Sequence, residues 1–166
     1  MHVSYDAIIA ALTARPRSPT FPPASDRAVW TGLQNIPRHR RQIDGVVALA
    51  EANLRQPWSE LLASAYLAFS RTGDRVGYET PYFARRDRLG LATVAYALTG
   101  DERFLRDAAD GLWLICDEAT WCLPAHLGQE LPQPEGDVLD LFSCETAHVL
   151  AEACALLAGP LERWSP

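Results

Sequence analysis

The sequence predicts an all-α fold, and three observations carry that prediction. Apolar residues recur at three- and four-residue spacing through most of the 166 residues, the signature of helices with one buried face. No alternating apolar–polar run is long enough to read as a strand. Residues that start and stop helices punctuate the pattern, among them Pro37, Gly73, Gly100, Asp101 and Gly159-Pro160.

In chain order, Tyr5, Ile8, Ile9 and Leu12 form a short amphipathic stripe that ends before Pro16. A Pro- and Ser-rich connector runs from Pro16 to Ser25, and a brief helix around Ala28–Leu33 carries Trp30 and Leu33. Pro37 stands where a helix begins, since its fixed φ and missing donor suit the first turn. Ile43, Val46, Val47, Ala50 and Leu54 then mark one face. Ser59 reads as the N-cap of the next helix, whose stripe is Leu62, Ala65, Tyr66 and Phe69, and Gly73 ends it. A helix over 82–98 closes at Gly100. Asp101 caps another, with Phe104, Leu105, Ala108, Leu112 and Trp113 inward, ending near Glu118. A Pro- and Gly-rich loop spans 119–136. Asp137 is the expected cap of the last helix, with Asp140 near the positive end of its dipole. Val138, Leu141, Phe142, Val149 and Leu156 give that helix its apolar face, and helical spacing puts Glu145 on the same face. Short turns between about seven helices imply antiparallel neighbours. Both a plain bundle and a toroid of paired helices fit, as a single helical domain over 1–166.

Composition narrows the functions. With 48% hydrophobic residues the chain can form a real core. A formal net charge of -6 leaves no basic excess to neutralise a phosphate backbone, so nucleic acid is not an expected partner. It also weighs against a heavily sulfated polyanion unless basic residues are focused in a groove. Cys116, Cys122, Cys144 and Cys154 lack C-x-x-C spacing, so no zinc site is expected; reduced, mostly buried thiols are. No cofactor is implied. The N-terminus lacks the pattern of a signal peptide, and no run reaches the 18 or so apolar residues of a membrane span. A soluble cytoplasmic protein is the expectation.

Three segments hold the candidate chemistry. The first is residues 78–86, where Tyr82 and Phe83 precede Arg85 and Arg86. Aromatics beside guanidinium groups can stack on a sugar ring and clamp a carboxylate; the same residues also read as core aromatics beside a solvated basic face. The second, residues 116–126, joins a helix end to the long loop and contains Glu118, Trp121 and His126. Acids at a helix C-terminus oppose its dipole. Trp121 can stack on a pyranose and His126 can hydrogen-bond a hydroxyl or carboxylate, or the two can be a core plug and a loop histidine. The third, residues 140–148, places Glu145 and His148 three apart, either an acid–base pair or a structural one.

Together these segments resemble a known family. The run YFARRDRLGLATVAYALTGDERFLRDAADGLWLICDEATWCLPAHLG (82–128), followed by DVLDLFSCETAHVLAEACALL (137–157), is similar to the N-terminal region of heparinase II/III-like proteins. Arg85 and Arg86 match its arginine-rich helix and Glu118 its acid at a helix end. Trp121, Leu123, Pro124, Ala125 and His126 match a W-x-L-P-A-H loop. Asp140, Leu141, Phe142, Glu145, Thr146 and Ala147 match a D-L-F-x-x-E-T-A helix. Trp30, Trp58 and FSRTGDR (69–75) extend the likeness over nearly the whole chain.

The resemblance implies an incomplete α/α toroid and β-elimination on uronic-acid-containing polysaccharides or oligosaccharides. That reaction needs a group to neutralise the uronate carboxylate, a base for the C5 proton and an acid for the leaving oxygen. The family's asparagine-rich segment, later catalytic Tyr and His, and β-sandwich have no counterpart before Pro166. The expectation is therefore an N-terminal portion with little or no activity alone, whose catalytic residues are not assigned. Tyr82, Arg85, Arg86, Glu118, Trp121, His126 and Glu145 are its candidate substrate-groove residues, and apolar faces left open would favour homo-oligomers. Alternatives are a non-catalytic sugar- or protein-binding module, a purely structural bundle, and an α/α-toroid glycoside hydrolase. A hydrolase needs two carboxylates roughly 5–5.5 or 6.5–9.5 Å apart, with Glu118 and Glu145 as the first pair.

Overall fold

The computed structural model describes residues 4–14, 20–127, 131–132 and 139–164, together with the side chains of those residues other than 7, 8, 11 and 12. Among the described residues the chain is mostly helical and contains no strand. The helices are α1 (Tyr5–Thr13), α2 (Arg27–Gln34), α3 (Arg40–Asn53), α4 (Ala63–Thr72), α5 (Val76–Thr99), α6 (Glu102–Cys116), α7 (Pro124–Leu127) and α8 (Leu141–Glu162), with a 3₁₀ turn at Pro37–His39 leading into α3.

α5 is the hub, and α2, α3, α4, α6 and α8 all pack on it. Its sequence explains why: Leu89, Ala92, Ala95, Tyr96, Ala97 and Leu98 are buried, and the small alanines let neighbouring helices approach on several sides. Its C-terminal carbonyls are received by another element. Arg27 donates to the carbonyls of Ala97 and Leu98 at 2.5 and 3.0 Å, and Gln34 donates to Leu98 as well. A cation at this end also complements the helix dipole. The chain then turns at Gly100, whose φ of 73° is the left-handed conformation that glycine adopts without penalty. Asp101 accepts from Arg103 N and starts α6, so a two-residue connection folds α6 back along α5. Where α6 crosses the segment before α4, Gly111 is required: a Cβ there would lie 2.6 Å from Trp58 Cη2.

Several expectations change. The helix predicted over 82–98 begins earlier, at Val76, and carries Pro81 in its second turn. Ser59 is not a cap: α4 starts at Ala63 with Leu62 at the N-cap position, and the Ser59 carbonyl accepts from Arg85 Nε at 2.7 Å instead. Leu62, placed on the stripe of that helix, is exposed. α6 ends at Cys116, near Glu118 as expected, with Asp117 as its C-cap. Trp113 is 78% exposed, not inward, because the buried face of α6 runs through Phe104, Ala108, Gly111 and Ile115. Residue 113 is two positions from 111, about 200° around the helix. The loop after α6 contains the short helix α7. The proposed cap Asp137 and stripe residue Val138 lie outside the described residues, as do the side chains of Ile8 and Leu12; Asp140 itself caps α8.

The face of α8 is as expected only in part. Its buried residues are Ser143, Thr146, Leu150, Ala153, Leu156, Leu157 and Pro160, with Phe142 and Val149 half-buried and packed beside them, and the helix continues through Pro160 instead of stopping there. Leu141 and Glu145 therefore face solvent. By length and composition α8 could cross a membrane, with a mean hydropathy of 1.4 over its most apolar window; here one face packs on α5 and α6. Of the cysteines only Cys122 is buried; Cys116, Cys144 and Cys154 are exposed, and no disulfide links described residues.

Two hydrophobic clusters result. The larger joins α2, α3, α5, α6 and α8 through Trp30, Leu89, Phe104, Leu105, Ile115 and Leu157. On one side of it, between α2, α3, α5 and α8, lies an apolar groove of about 770 Å³ lined by Trp30, Leu33, Val46, Leu91 and Leu156 among others. The smaller cluster gathers Tyr66, Tyr78, Tyr82 and Leu123, with Phe83, Leu127 and Phe142 against it. Tyr82 belongs to this smaller cluster, Arg86 stacks on its ring and His126 on Phe142, whereas Trp121 packs against the larger one.

Candidate functional site

At the middle of α5, Arg85 and Arg86 turn inward and grip one carboxylate. Arg86 Nη2 and Nη1 donate to Glu118 Oε2 and Oε1 at 2.6 and 3.1 Å, and Arg85 Nη1 donates to Oε1 at 3.1 Å. All three side chains are at least nine-tenths buried. Such a group is costly to bury unless every hydrogen-bonding direction is used, and most are. Arg86 Nε donates to Thr146 Oγ1 at 3.0 Å and Nη1 to the Tyr82 carbonyl at 3.1 Å. Its guanidinium also lies 3.3 Å over the Tyr82 ring, a cation–π stack.

Tyr82 is fully buried. Its hydroxyl donates to the Trp121 carbonyl at 2.7 Å and shares a 2.9 Å hydrogen bond with Thr146 Oγ1. Trp121 is half-buried, and its indole N–H donates to the Ile115 carbonyl at 2.8 Å. Tyr82, Arg85, Arg86, Glu118 and Trp121 are thus brought together, with their hydrogen bonds mostly on one another. The solvated basic face weighed for the arginines is not present. The network ties α5 to the end of α6, the loop after it, and α8. Aromatics fill the gaps: the buried Tyr82 and half-buried Phe83 meet edge-on at 5.2 Å, as do Phe83 and the half-buried Phe142.

His126 is different. It sits on α7, held against α8: Nδ1 donates to Asp140 Oδ2 at 2.7 Å, and the ring stacks on Phe142 with centroids 5.6 Å apart. The imidazole is 34% exposed, and Nε2 makes no hydrogen bond among the described residues. Asp140 earns its place by the N-cap chemistry of α8. Oδ1 accepts from Ser143 N at 2.7 Å and from Ser143 Oγ at 2.8 Å, and Oδ2 also accepts from Leu123 N at 3.2 Å. Burial pushes the Asp140 carboxyl up, but these hydrogen bonds outweigh burial and hold it down at about 2. The carboxylate therefore accepts at neutral pH, and it fixes both the tautomer and the direction of His126.

A stability prediction follows from Asp140. Its folded-state pKa is below the unfolded value, so its contribution is full above about pH 4 and is lost as pH falls to about 2. The contribution is on the order of 2 kcal/mol. Asp140→Asn is expected to lower the unfolding midpoint at pH 7 and to flatten its fall between about pH 4 and 2, read by thermal circular dichroism at a series of pH values. Parallel acid limbs in the two proteins would contradict this.

Glu145 does not join this assembly directly. It stands on the exposed side of α8 at the edge of a small cleft of about 90 Å³ beside Phe83 and Asp87. The suggested Glu145–His148 pair is not formed; His148 Nε2 lies 3.4 Å from Glu152. Of the suggested Glu118–Glu145 hydrolase pair, Glu118 has both carboxylate oxygens held by arginines.

Sequence reasoning missed a second buried pair. Arg88 Nη2 and Nε donate to Asp107 Oδ1 at 2.6 and 3.2 Å, Nε also reaches Oδ2 at 3.1 Å, and the guanidinium covers Trp58 at 4.2 Å. A signal was available: Asp107 falls on the inward stripe of α6, three residues after Phe104 and four before Gly111, and an acid there needs a partner. Among the described residues no group of His, Cys, Asp and Glu could hold a metal ion. Set against known proteins, the chain matches no family model and no curated protein.

Proposed function

We propose that the chain is a glycan-binding helical scaffold of the polysaccharide-lyase type, part of an α/α toroid, that presents His126 to a uronic-acid-containing chain. The arginine pair of α5 meets the two later segments that resemble heparinase II/III-like proteins at one cluster, with Arg86 bound to Glu118 and Thr146, 32 and 60 residues further on, which supports reading them as one unit. The observation that carries the proposal is the His126–Asp140 pair: an exposed imidazole, aimed by a buried carboxylate, with one ring nitrogen open to a ligand. That is the arrangement of an acid–base group. The formal net charge of -6 favours a weakly charged uronan over a heavily sulfated one.

β-Elimination needs three groups, and Tyr82, Arg86 and Glu118 are committed to one another. The proposed activity of this chain by itself is therefore binding with little turnover. The test is calorimetric titration with alginate, polyglucuronate and hyaluronan, alongside ultraviolet absorbance of any unsaturated product. Saturable binding to at least one uronan is expected, weakened about tenfold, or ~1.4 kcal/mol, by His126→Ala. A folded chain that binds none of the three would overturn the proposal. Strong product absorbance that survives in His126→Ala would assign the chemistry elsewhere.

A further inference from the structure

A separate cavity opens between the start of α4, the first half of α5 and the end of α6. Its volume is about 310 Å³, at the small end of the roughly 300–1,000 Å³ typical of ligand sites. Leu61, Leu62 and Leu114 supply an apolar wall, and Tyr66, Tyr78, Arg85, Asp117 and Glu118 supply the polar groups.

Those polar groups are unevenly used. Glu118 is taken by Arg85 and Arg86. Arg85 donates from Nε to Ser59 and from Nη1 to Leu114 and Glu118, which leaves Nη2 without a hydrogen bond among the described residues. The Tyr78 hydroxyl has none either. Tyr66 is 4% exposed, yet its hydroxyl is buried with no partner, an arrangement that folded proteins rarely leave uncompensated. The two rings meet edge-on at 4.9 Å. Burial, then the nearby Cys122 and Asp140, push the Tyr66 phenol up to about 12. Burial and then Glu118 push Tyr78 higher still, so both phenols keep their protons and act as donors. Asp117, exposed at the rim, offers a carboxylate with no side-chain partner among the described residues.

Charge then selects the ligand. Of the charged residues that line the cavity, Arg85 is set against Asp117 and Glu118, and Glu118 is also held by Arg86 from outside the lining, so the cavity has no positive surplus to attract an anion. Unspent donors face an unspent acceptor beside a leucine wall, the combination that suits a molecule with hydroxyl groups on a ring whose C–H bonds form apolar patches. We propose that this cavity is a subsite for a single neutral hexopyranose residue, with Tyr78, Arg85 and Asp117 hydrogen-bonding its hydroxyls and the leucines packing on its C–H face. The proposal goes beyond the uronan reading and needs nothing from His126.

The test uses the full chain, observed by ligand-detected NMR and calorimetry, with methyl β-glucoside, methyl β-galactoside and glucuronate as probes. Saturable binding of at least one neutral glycoside in the millimolar range is expected, and in His126→Ala it is tighter than that of glucuronate. Tyr78→Phe, which removes one oxygen and keeps the ring, should weaken it about fivefold or more, as should Asp117→Ala; His126→Ala should leave it unchanged. The subsite is overturned if neither neutral glycoside binds the folded chain, if glucuronate binds His126→Ala more tightly than either glycoside does, or if both cavity variants bind like the parent. Glycoside binding without uronan binding would sink the lyase-type reading alone, and the reverse would sink the subsite alone.

Discussion

Glu118→Ala is expected to destabilise the protein by about 3–5 kcal/mol, because it leaves buried guanidinium groups without their counter-charge. Arg85 and Arg86 are each about nine-tenths buried and direct three hydrogen bonds at this one carboxylate. Neither can release its proton to escape the cost, since a guanidinium stays charged in proteins. The remaining partners of Arg86, Thr146 and the Tyr82 carbonyl, are neutral and do not replace a charge. Glu118→Gln should lose less, keeping one acceptor oxygen of similar shape. Urea unfolding followed by circular dichroism measures both. A loss under about 1 kcal/mol, the range of an exposed pair, would mean that water from the neighbouring cavity solvates the arginines and that the site is wetter than its geometry indicates.

The second large effect belongs to Asp107. Asp107→Ala is expected to cost about 3–5 kcal/mol by the same logic, with side chains 6% and 10% exposed for Asp107 and Arg88. The local consequence differs. Arg88 Nη1 also donates to the carbonyls of Gln56 and Pro57 at 2.9 and 3.2 Å, and its plane lies on Trp58. The pair therefore holds down the segment that joins α3 to α4. In Asp107→Ala, hydrogen exchange near residues 56–62 should accelerate more than exchange within the Leu89–Leu98 core of α5. Uniform acceleration across both would show that the pair stabilises the whole fold without anchoring that connection.

Much of the helical layout was legible because local rules decide it. Gly73 and Gly100 both adopt positive φ at helix ends, and Asp101 caps α6 as its position suggests. The misplaced features share a cause. Leu156 lies on the buried face of α8 as its spacing suggests, yet that face begins with Ser143 and Thr146, which are buried because Asp140, Cys122, Tyr82 and Arg86 bond to them. A hydroxyl that finds its partner on another helix looks like a surface residue in sequence. Trp113 misled in the opposite direction, a large apolar residue with no cavity to fill. The site shows the same division. The residue types in its three segments suggested binding chemistry, but that Arg86 would spend itself on Glu118, 32 residues away, is a tertiary fact. What distinguished His126 from its neighbours was exposure, which periodicity does not report for a four-residue helix after a loop.

The buried clasp of Tyr82, Arg86, Glu118 and Thr146 also bears on how such a sequence can drift. Each member satisfies at least one of the others, so a single substitution strands a partner. Glu118 is inherited together with two arginines, and Thr146 with both Tyr82 and Arg86. Lineages descended from this chain should either keep all of these positions or replace them in concert with apolar residues of matching volume. Intermediate combinations should be scarce, and an alignment of such lineages would show positions 82, 85, 86, 118 and 146 changing as a block while the leucines around them exchange freely.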